Sequence, residues 1–449
     1  MQYRSTVEHL DCLIRNGTVL TMDATGTSIA RGGVAVKDGR IVDLGPDERL
    51  RSRPAGQTLD ARGGIIMPGM VNAHTHLPMS LFRGLADDLP LEQWLNEHIF
   101  PAEAAHISPD SVALGARLSA AEMLLGGTTT CCDGYFLAHR IAEAVEEAGL
   151  RAVLGQGVID FPAPGVADPK ENINAAETFV KEWQGRSTRI RPSIFCHAPY
   201  TCSADTLRAA KRAAEDQGVL FQIHVAETRS EARKCREAHG CSPVQYLDRL
   251  GLLNRRTLLV HAVWVDDTDI RIIGKRGARV VHCPESNMKL ASGIAPIPDM
   301  LAAGVTVALG TDGCASNNDL DLWAEMDAAA KLHKVQRLDS TVMDAGAVLR
   351  MATIEGARAI GLDKETGSLE IGKQADLIVI DTNQPHLVPM YHPRSHLVYA
   401  VHAADVRHVL IAGRPVVRER QLQTIDRDAL IGEVRQMGGI IAGTQGGRK

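Results

Sequence analysis

The feature that most restricts the fold is an alternation of strand-like apolar runs with stretches rich in Ala, Leu, Glu and Arg, which continues from residue 65 to about residue 359. Alternation of this kind predicts a parallel sheet covered by helices. Eight runs can be counted, and eight consecutive βα units predict an α/β fold of the closed (β/α)8 TIM-barrel type. The predicted strands are residues 65–71, 128–132, 152–154, 190–196, 220–225, 257–260, 279–281 and 305–309.

The two ends of the chain have a different texture, with short β-like runs separated by turn residues. Near the N-terminus the dipeptides Asn16-Gly17 and Asp38-Gly39 stand between apolar runs and are strong hairpin signals. The same texture returns near the C-terminus, where Gly413 separates two further runs. We therefore predict that the two ends pair into one small composite β-sandwich domain. Its halves are expected at residues 1–64 and 367–449, the second with a terminal helix and tail, and the barrel at residues 65–366.

Composition limits the class of protein and its partners. With 449 residues and 45% hydrophobic content, the chain can bury a large core. A net charge of −5 and an aromatic content of 4% provide neither a basic face nor stacking platforms for nucleic acid. No run approaches the roughly 18 apolar residues of a membrane span, and the first residues contain no apolar signal segment, so we expect a cytoplasmic protein without a membrane partner. Whether the chain forms a homo-oligomer is left open.

Polar side chains stand at the ends of most of the predicted strands. In a (β/α)8 barrel the carboxyl ends of all strands meet at one mouth, where active sites are built. Residues far apart in the sequence therefore become neighbours there. The polar residues at these strand ends are His74 and His76 after the first strand, His197 after the fourth, His224 and Glu227 after the fifth, His261 after the sixth, His282 after the seventh and Asp312 after the eighth.

Four of these residues form a candidate metal site. His74 and His76 are two positions apart in an extended segment, so both imidazoles point to the same side. With His224 and Asp312 they offer three nitrogens and one carboxylate oxygen with room for water, which is typical of a catalytic site. A bound divalent ion would lower the pKa of its water to about 7. We expect a single ion, zinc in the first place, although iron accepts the same ligands, and no lysine ends the fourth strand to bridge a second ion.

Two further residues are candidates for proton transfer. Glu227, three residues after His224, is placed to take a proton from the water and pass it to a ring nitrogen. The alternative is a surface glutamate that opens the following helix. His261 either hydrogen-bonds the nucleophile or supplies a further ligand, and we favour the first role because four ligands are already present. For His282 the sequence leaves open whether the side chain faces the mouth.

Four segments of the sequence resemble the amidohydrolase superfamily. Within it they are most similar to the 5'-methylthioadenosine/S-adenosylhomocysteine deaminase group, with guanine deaminases and triazine hydrolases as more distant relatives. The resemblance covers nearly the whole chain. Its motifs are PGMVNAHTHLPMSLFRGLADDLPLEQWLNEHIFPAE, IHVAET, VHCPESNMKL and LGTDGCASNN.

The resemblance implies a role for each site residue. It implies that the metal is held by His74, His76, His224 and Asp312, and that Glu227, His261 and Asp312 are catalytic. It further implies that Glu103 binds the ribose hydroxyls, that His197 contacts the nucleoside, and that Glu227 and Asp312 also touch the substrate. Ser316 is expected to assist near the metal.

The function that this resemblance implies is hydrolytic deamination of an adenosine derivative by water activated on the metal. The substrates would be 5'-methylthioadenosine and/or S-adenosylhomocysteine, and the products the inosine derivative and ammonia. Only Lys170 is available after the third strand, at residues 157–177, to meet the homocysteine carboxylate, where the group carries arginines. We therefore expect 5'-methylthioadenosine to be used at least as well as S-adenosylhomocysteine.

Two alternatives differ in substrate or in class. The first is a deaminase or dechlorinase of a free purine, pterin or triazine ring that uses the same metal centre. A carboxylate that binds ribose, such as Glu103, would have no role with a free base. The second is a catalytically silent barrel that serves as an assembly scaffold, which the presence of every ligand candidate together with Glu227 disfavours.

Overall fold

Two sheets organise the chain in the computed structural model, which describes residues 9–445. The first five strands are β1 (Leu10–Leu20), β2 (Ser28–Lys37), β3 (Arg40–Pro46), β4 (Ala55–Asp60) and β5 (Ile65–Pro68). The next eight are β6 (Met70–Thr75), β7 (Thr128–Tyr135), β8 (Arg151–Val158), β9 (Ile190–Cys196), β10 (Leu220–Val225), β11 (Thr257–His261), β12 (Arg279–His282) and β13 (Val307–Leu309). The last four are β14 (Leu377–Ile380), β15 (Val406–Ile411), β16 (Arg414–Arg418) and β17 (Gln421–Leu422).

Strands β6 to β13 form a parallel barrel in chain order, as predicted. Every residue of β6, β7, β8 and β10 is buried, which is expected when side chains fill the barrel on one face and helices cover the other. The first and last strands meet where the backbone amide of Asp312 donates to the carbonyl of His74 over 3.0 Å. The chain segments that follow β6 and β13 are therefore neighbours at the mouth.

Helices connect the strands and cover the outside of the barrel. No helix within residues 9–445 is both long and apolar enough to cross a membrane. A six-residue π-helical stretch, Trp94–Ile99, joins α2 to α3. The helices are α1 (Asp47–Leu50), α2 (Leu91–Gln93), α3 (Phe100–His106), α4 (Pro109–Gly126), α5 (Ala138–Ala148), α6 (Asn172–Trp183), α7 (Ala204–Asp216), α8 (Arg229–His239), α9 (Pro243–Arg249), α10 (Asp267–Arg276), α11 (Pro284–Lys289), α12 (Ile297–Ala302), α13 (Leu322–Arg337), α14 (Ala345–Met351), α15 (Ile354–Ala359), α16 (Pro393–Tyr399) and α17 (Arg427–Gln445), with short 3-10 turns at Leu77–Phe82, Pro169–Glu171, Pro385–Leu387 and Ala403–Asp405.

The second sheet is built from both ends of the chain, as predicted. Its central strand β5 pairs in parallel with β1 on one side and antiparallel with β14 on the other. A buried ion pair connects this sheet to the barrel, since Arg151 at the start of β8 donates to Asp376 over 2.6 and 3.1 Å. Asp376 also accepts from the backbone amide of Ala412 at 2.7 Å. The composite sheet is thus anchored to the end of the barrel opposite the mouth.

Two local predictions were wrong. The run at residues 65–71 is two strands that are interrupted at Gly69, which packs so closely that an added Cβ would lie 2.1 Å from the Thr129 side chain. Its first half, β5, belongs to the composite sheet, and the first barrel strand is β6. The dipeptide Asn16-Gly17 is not a hairpin turn but lies at a register shift inside β1.

The other two turn signals form hairpins as predicted. Asp38 and Gly39 both adopt positive φ, at 49° and 74°, between β2 and β3. Ala412 and Gly413 do the same between β15 and β16, at 46° and 73°. Positive φ at both central residues is the requirement of the type I′ turn.

Candidate active site

The four candidate ligands lie together at the mouth of the barrel. His74 lies near the end of β6 and His76 directly follows that strand, His224 comes from β10, and Asp312 comes from the segment after β13. One ligand atom from each lies within 4.8 Å of all the others. The Nε2 atoms of His74 and His224 are 3.1 Å apart, and Asp312 Oδ1 lies 3.4 Å from His74 Nε2 and 3.3 Å from His76 Nε2.

The backbone around Asp312 is held in an unusual conformation. Its φ is 63°, a region that few residues other than glycine adopt. Besides the bond from its amide to His74, its carbonyl accepts from the hydroxyl of Thr75 at 3.2 Å. The Asn72 side chain accepts from the Thr311 amide at 3.1 Å. These contacts with β6 fix the position from which the carboxylate reaches the histidines, as is common for strained residues at functional sites.

The protonation states of the cluster suit a cation. Burial lowers the pKa of His74 to about 4, and it lowers the pKa of His76 and His224 as well, so all three imidazoles are neutral. His76 Nδ1 lies 2.6 Å from the carbonyl of Gly134, to which it must donate, and its Nε2 lone pair therefore faces the cluster. Burial acts to raise the pKa of Asp312, but the hydrogen bond with His74 opposes this, and the pKa lies well below its usual range. Three neutral nitrogens and a carboxylate fit a divalent metal ion.

Two serines hold the second oxygen of Asp312. The hydroxyls of Ser286 and Ser316 donate to Oδ2 at 2.7 and 2.8 Å. Oδ1, which faces the histidines, accepts from the backbone amide of Gly313 at 2.8 Å. Ser316 was implied by the resemblance, whereas Ser286 was not identified from the sequence. The carboxylate is therefore fixed by donors on both oxygens.

Glu227 and His261 lie beside the cluster. Glu227 is 7% exposed, which excludes the alternative of a surface residue. Burial raises its pKa, and its carboxylate lies 3.9 Å from His261 Nε2. His261 Nδ1 lies 3.0 Å from Asn287 Oδ1, an acceptor, so the proton of a neutral ring is on Nδ1 and Nε2 is free to accept. The Glu231 carboxylate accepts from the amides of Ala226 and Glu227 at 2.7 and 2.8 Å and fixes the turn that carries Glu227.

A cavity of about 360 Å³ opens beside the cluster. Glu103, on α3, is buried in its wall, and the Tyr135 hydroxyl donates to Glu103 Oε1 at 2.5 Å. Burial raises the pKa of Glu103 to about 7, although the bond from Tyr135 acts to lower it. His197 also lines the cavity, with Nδ1 2.9 Å from the hydroxyl of Thr201. Burial lowers the pKa of His197 to about 4.

The rest of the cavity wall is almost entirely apolar. No lysine or arginine within residues 9–445 lines it. Lys170 is exposed and does not line the cavity, and Leu85, which does not line it either, packs against the apolar cluster that includes Trp94. The apolar and aromatic lining consists of Met79, Leu91, Trp94, Leu95, Phe100, Ala104, Ile107, Tyr135, Phe136, Ile159, Phe161, Pro162, Ala163, Pro164, Ala167, Phe195, Tyr200 and Leu290.

His282, at the end of β12, does not face the mouth. Its Nε2 lies 3.1 Å from Nε2 of His333 on α13, and the side chain is fully buried between the barrel and that helix. The supporting residues that the sequence reasoning missed are Tyr135, Glu231, Ser286 and Asn287. Ser286 and Asn287 fall inside the identified motif VHCPESNMKL, and Glu231 lies three residues after IHVAET.

Comparison with known proteins identifies relatives over nearly the whole chain. Residues 65–416 match the sequence profile of the amidohydrolase family. A 5-methylthioadenosine/S-adenosylhomocysteine deaminase of Syntrophobacter fumaroxidans is 49% identical over 426 residues, which is 95% of this chain and 97% of the relative. A 5'-deoxyadenosine deaminase of Methanosarcina mazei is 43% identical over 430 residues, 95% of this chain and 97% of the relative. The crystal structure of a zinc-bound adenosine deaminase from Xanthomonas campestris is 40% identical and superimposes with a TM-score of 0.95, covering 97% of this chain and 99% of the other.

Proposed function

This chain belongs to the amidohydrolase family, and on that premise we propose that it hydrolyses the 6-amino group of an adenosine derivative, 5'-methylthioadenosine before S-adenosylhomocysteine. The observation that carries the proposal is the composition of the cavity. It combines a buried set of three histidines and an aspartate with one buried carboxylate, Glu103, in walls that are otherwise apolar. The set of three histidines and an aspartate suits metal-assisted hydrolysis, and the buried carboxylate suits the binding of sugar hydroxyls.

We propose that one divalent ion, zinc, is held by His74, His76, His224 and Asp312. The neutral imidazoles and the fixed carboxylate support this assignment. When bound, such an ion lowers the pKa of a water ligand and supplies a nucleophile near neutral pH.

Glu227 moves the first proton. As the water oxygen adds to C6 of the purine, N1 must gain a proton, and Glu227 takes one from the water and delivers it there. Burial raises the pKa of Glu227, which makes its carboxylate a better proton acceptor from the water. His261 accepts a hydrogen bond from the attacking oxygen through Nε2, because Asn287 keeps its Nδ1 proton in place.

Asp312 moves the second proton. It carries the remaining proton of the water to the amino group, the bond from C6 to that nitrogen breaks, and ammonia leaves. The product is the inosine derivative, which keeps a proton on N1. Ser286 and Ser316 hold Asp312 Oδ2 throughout, so that Oδ1 stays directed at the reacting centre.

Glu103 and His197 position the nucleoside. A carboxylate that accepts from ribose hydroxyls makes charge-assisted hydrogen bonds, each worth about 1.5 to 3 kcal/mol. The 5' substituent then lies against apolar wall, where Trp94 and Phe161 suit a methylthio or methyl group. The amino acid tail of S-adenosylhomocysteine would bring a carboxylate to a wall without a cation. For a free base, Glu103 would remain a buried acid without a partner in the substrate.

The test is ammonia release by the purified protein, with metal analysis of the same sample, on 5'-methylthioadenosine, 5'-deoxyadenosine, S-adenosylhomocysteine, guanine and a triazine. We expect kcat/KM for 5'-methylthioadenosine to equal or exceed that for S-adenosylhomocysteine, and no efficient turnover of guanine or the triazine. Glu103→Ala should lower kcat/KM for nucleosides by about 10-fold or more with unchanged metal content.

Glu97→Ala is the matched control, because Glu97 is an exposed glutamate on the neighbouring π-helical stretch. It should behave as the unmodified protein. Efficient deamination of a free ring with no turnover of any adenosine derivative would contradict the proposal.

A further inference from the structure

The hydroxyl of Tyr135 has no part in the mechanism above, yet it makes a short contact with the residue proposed to bind the sugar. It donates to Glu103 Oε1 at 2.5 Å, and the two side chains are only 3% and 5% exposed. Burial raises the pKa of Tyr135 well above its usual range, so the hydroxyl keeps its proton and remains a donor. One oxygen of Glu103 is therefore committed to Tyr135 before any ligand binds.

The position of Tyr135 in the chain connects two parts of the cavity. It is the last residue of β7, and the preceding residue, Gly134, accepts from Nδ1 of His76 at 2.6 Å. Adjacent residues of one strand end thus hold a candidate metal ligand and the candidate ribose carboxylate. Glu103 itself comes from α3, outside the barrel sheet.

A glutamate side chain has several rotatable bonds, and an apolar wall makes no hydrogen bond that would favour one of its rotamers. A buried carboxyl also tends to take up a proton, because burial disfavours its charge. A fixed hydroxyl donor opposes both effects, since it selects one orientation and favours the ionised form, which accepts hydrogen bonds from two sugar hydroxyls.

We propose that Tyr135 is a positioning residue for ribose recognition, which holds the Glu103 carboxylate in the orientation that accepts from the sugar hydroxyls at a fixed place relative to His76. The inference rests on the proposed function, because it requires that Glu103 meets a ribose. Only the hydroxyl has this positioning role, so its effect can be tested by removing the hydroxyl and keeping the aromatic ring. The ring packs 5.5 Å from that of Phe136 and 6.3 Å from that of His76, and phenylalanine fills the same space.

The test compares two substrates that differ only at the sugar, 5'-deoxyadenosine and 2',5'-dideoxyadenosine, in the metal-containing protein. In the unmodified protein we expect kcat/KM to favour 5'-deoxyadenosine by about 10-fold or more, the usual effect of one charge-assisted hydrogen bond. Tyr135→Phe should lower kcat/KM for 5'-deoxyadenosine by about 10-fold, mostly through KM, and change that for 2',5'-dideoxyadenosine by less than about 3-fold. In a Glu103→Gln background the same substitution should leave the ratio unchanged.

Tyr246→Phe is the matched control, because Tyr246 lies on α9 and does not line the cavity. Calorimetric binding of inosine and 2'-deoxyinosine gives the same comparison without turnover. If Tyr135→Phe slows both substrates equally, or keeps the full preference for 5'-deoxyadenosine, the positioning role is wrong while the proposed function stands. An unmodified protein that shows no preference between the two sugars, or deaminates neither substrate, overturns the role of Glu103 and this inference with it.

Discussion

Glu227 and Asp312 are two buried carboxyl groups beside the same imidazoles, but their surroundings differ. Burial dominates at Glu227 and raises its pKa, whereas at Asp312 burial is opposed by the hydrogen bond with His74 and the pKa is held low. Two acids whose environments separate their pKa values are suited to different tasks. On this basis we assign proton delivery to N1 to Glu227, and metal ligation together with transfer of the second proton to Asp312.

Glu227→Gln should separate these two tasks. The amide keeps the volume of the side chain but cannot shuttle a proton, so we expect kcat to fall by roughly 100-fold or more. Metal content should be unchanged, because Glu227 is not among the four ligands. The measurement is steady-state turnover with metal analysis, and Glu237→Gln, an exposed position on α8, is the control. Loss of metal from Glu227→Gln would make that residue a ligand and contradict the assignment.

Single residues were predictable from the sequence where their position in a strand decided their direction. His74 and His76 end a strand, and alternation places both on one side. Tyr135 and Asn287 were not predictable in this way. The apolar run of the second barrel strand stops at Cys132, whereas β7 continues to Tyr135, and only this extension carries the ring into the cavity. Asn287 depends on a helical turn that brings it under His261, which spacing alone does not show.

At the scale of elements, the segment from β12 into α11 holds two residues of the site in place through hydrogen bonds. Ser286 bonds Asp312, and the next residue, Asn287, bonds His261. Glu325 on α13 ties this segment to the one after β13, since its two oxygens accept from the Glu285 amide at 3.3 Å and the Asn317 side chain at 2.6 Å. One helix residue therefore joins the two segments that hold the Asp312 carboxylate.

Glu325→Ala should loosen both segments together. We expect kcat to fall by about 10-fold or more, the lower end for residues that orient metal ligands, together with a lower thermal midpoint. Glu325→Gln should keep most of the activity, because an amide oxygen can still accept from Asn317. Both variants are measured at a temperature where circular dichroism shows them folded. Full turnover of Glu325→Ala under those conditions would show that α13 does not support the site.

The π-helical stretch before α3 is an element that was not predicted from the sequence. Pro101 lies in the first turn of α3 and has no backbone N–H to donate to the preceding turn, and the stretch Trp94–Ile99 forms immediately before it. The wider turn changes the angle at which later side chains leave the helix, among them Glu103. Hydrophobic periodicity predicts helices, but it does not predict a change in their pitch, and the direction of Glu103 depends on that change.

At the scale of the whole molecule, the prediction of a barrel and a composite sheet is confirmed because both depend on patterns repeated over many residues. The contact between them depends on two residues. Arg151 and Asp376 are 225 positions apart and form a buried bidentate pair. Neither residue stands in a motif. A charged residue in a sequence does not show which of the many residues of opposite charge it pairs with.

Arg151→Met should destabilise the protein without touching the chemistry. Removing one partner of a buried ion pair leaves the other charge uncompensated and typically costs about 3–5 kcal/mol. We expect a lower thermal midpoint, with kcat at 25 °C close to that of the unmodified protein. Adding Asp376→Asn should recover part of the loss, because it removes the unpaired charge. Lys331→Met, which breaks an exposed pair on α13, should change the midpoint little.

The place of β5 between β1 and β14 has a consequence for the order in which the molecule is made. On the ribosome, β5 emerges early and can pair with β1, but its other edge stays without a partner until Leu377–Ile380 has been synthesised. At about 5–20 residues per second this interval is on the order of tens of seconds. An open apolar edge is a template for pairing with another chain. The length of this interval should therefore affect the yield of folded protein during synthesis, beyond what the stability of the finished fold alone would suggest.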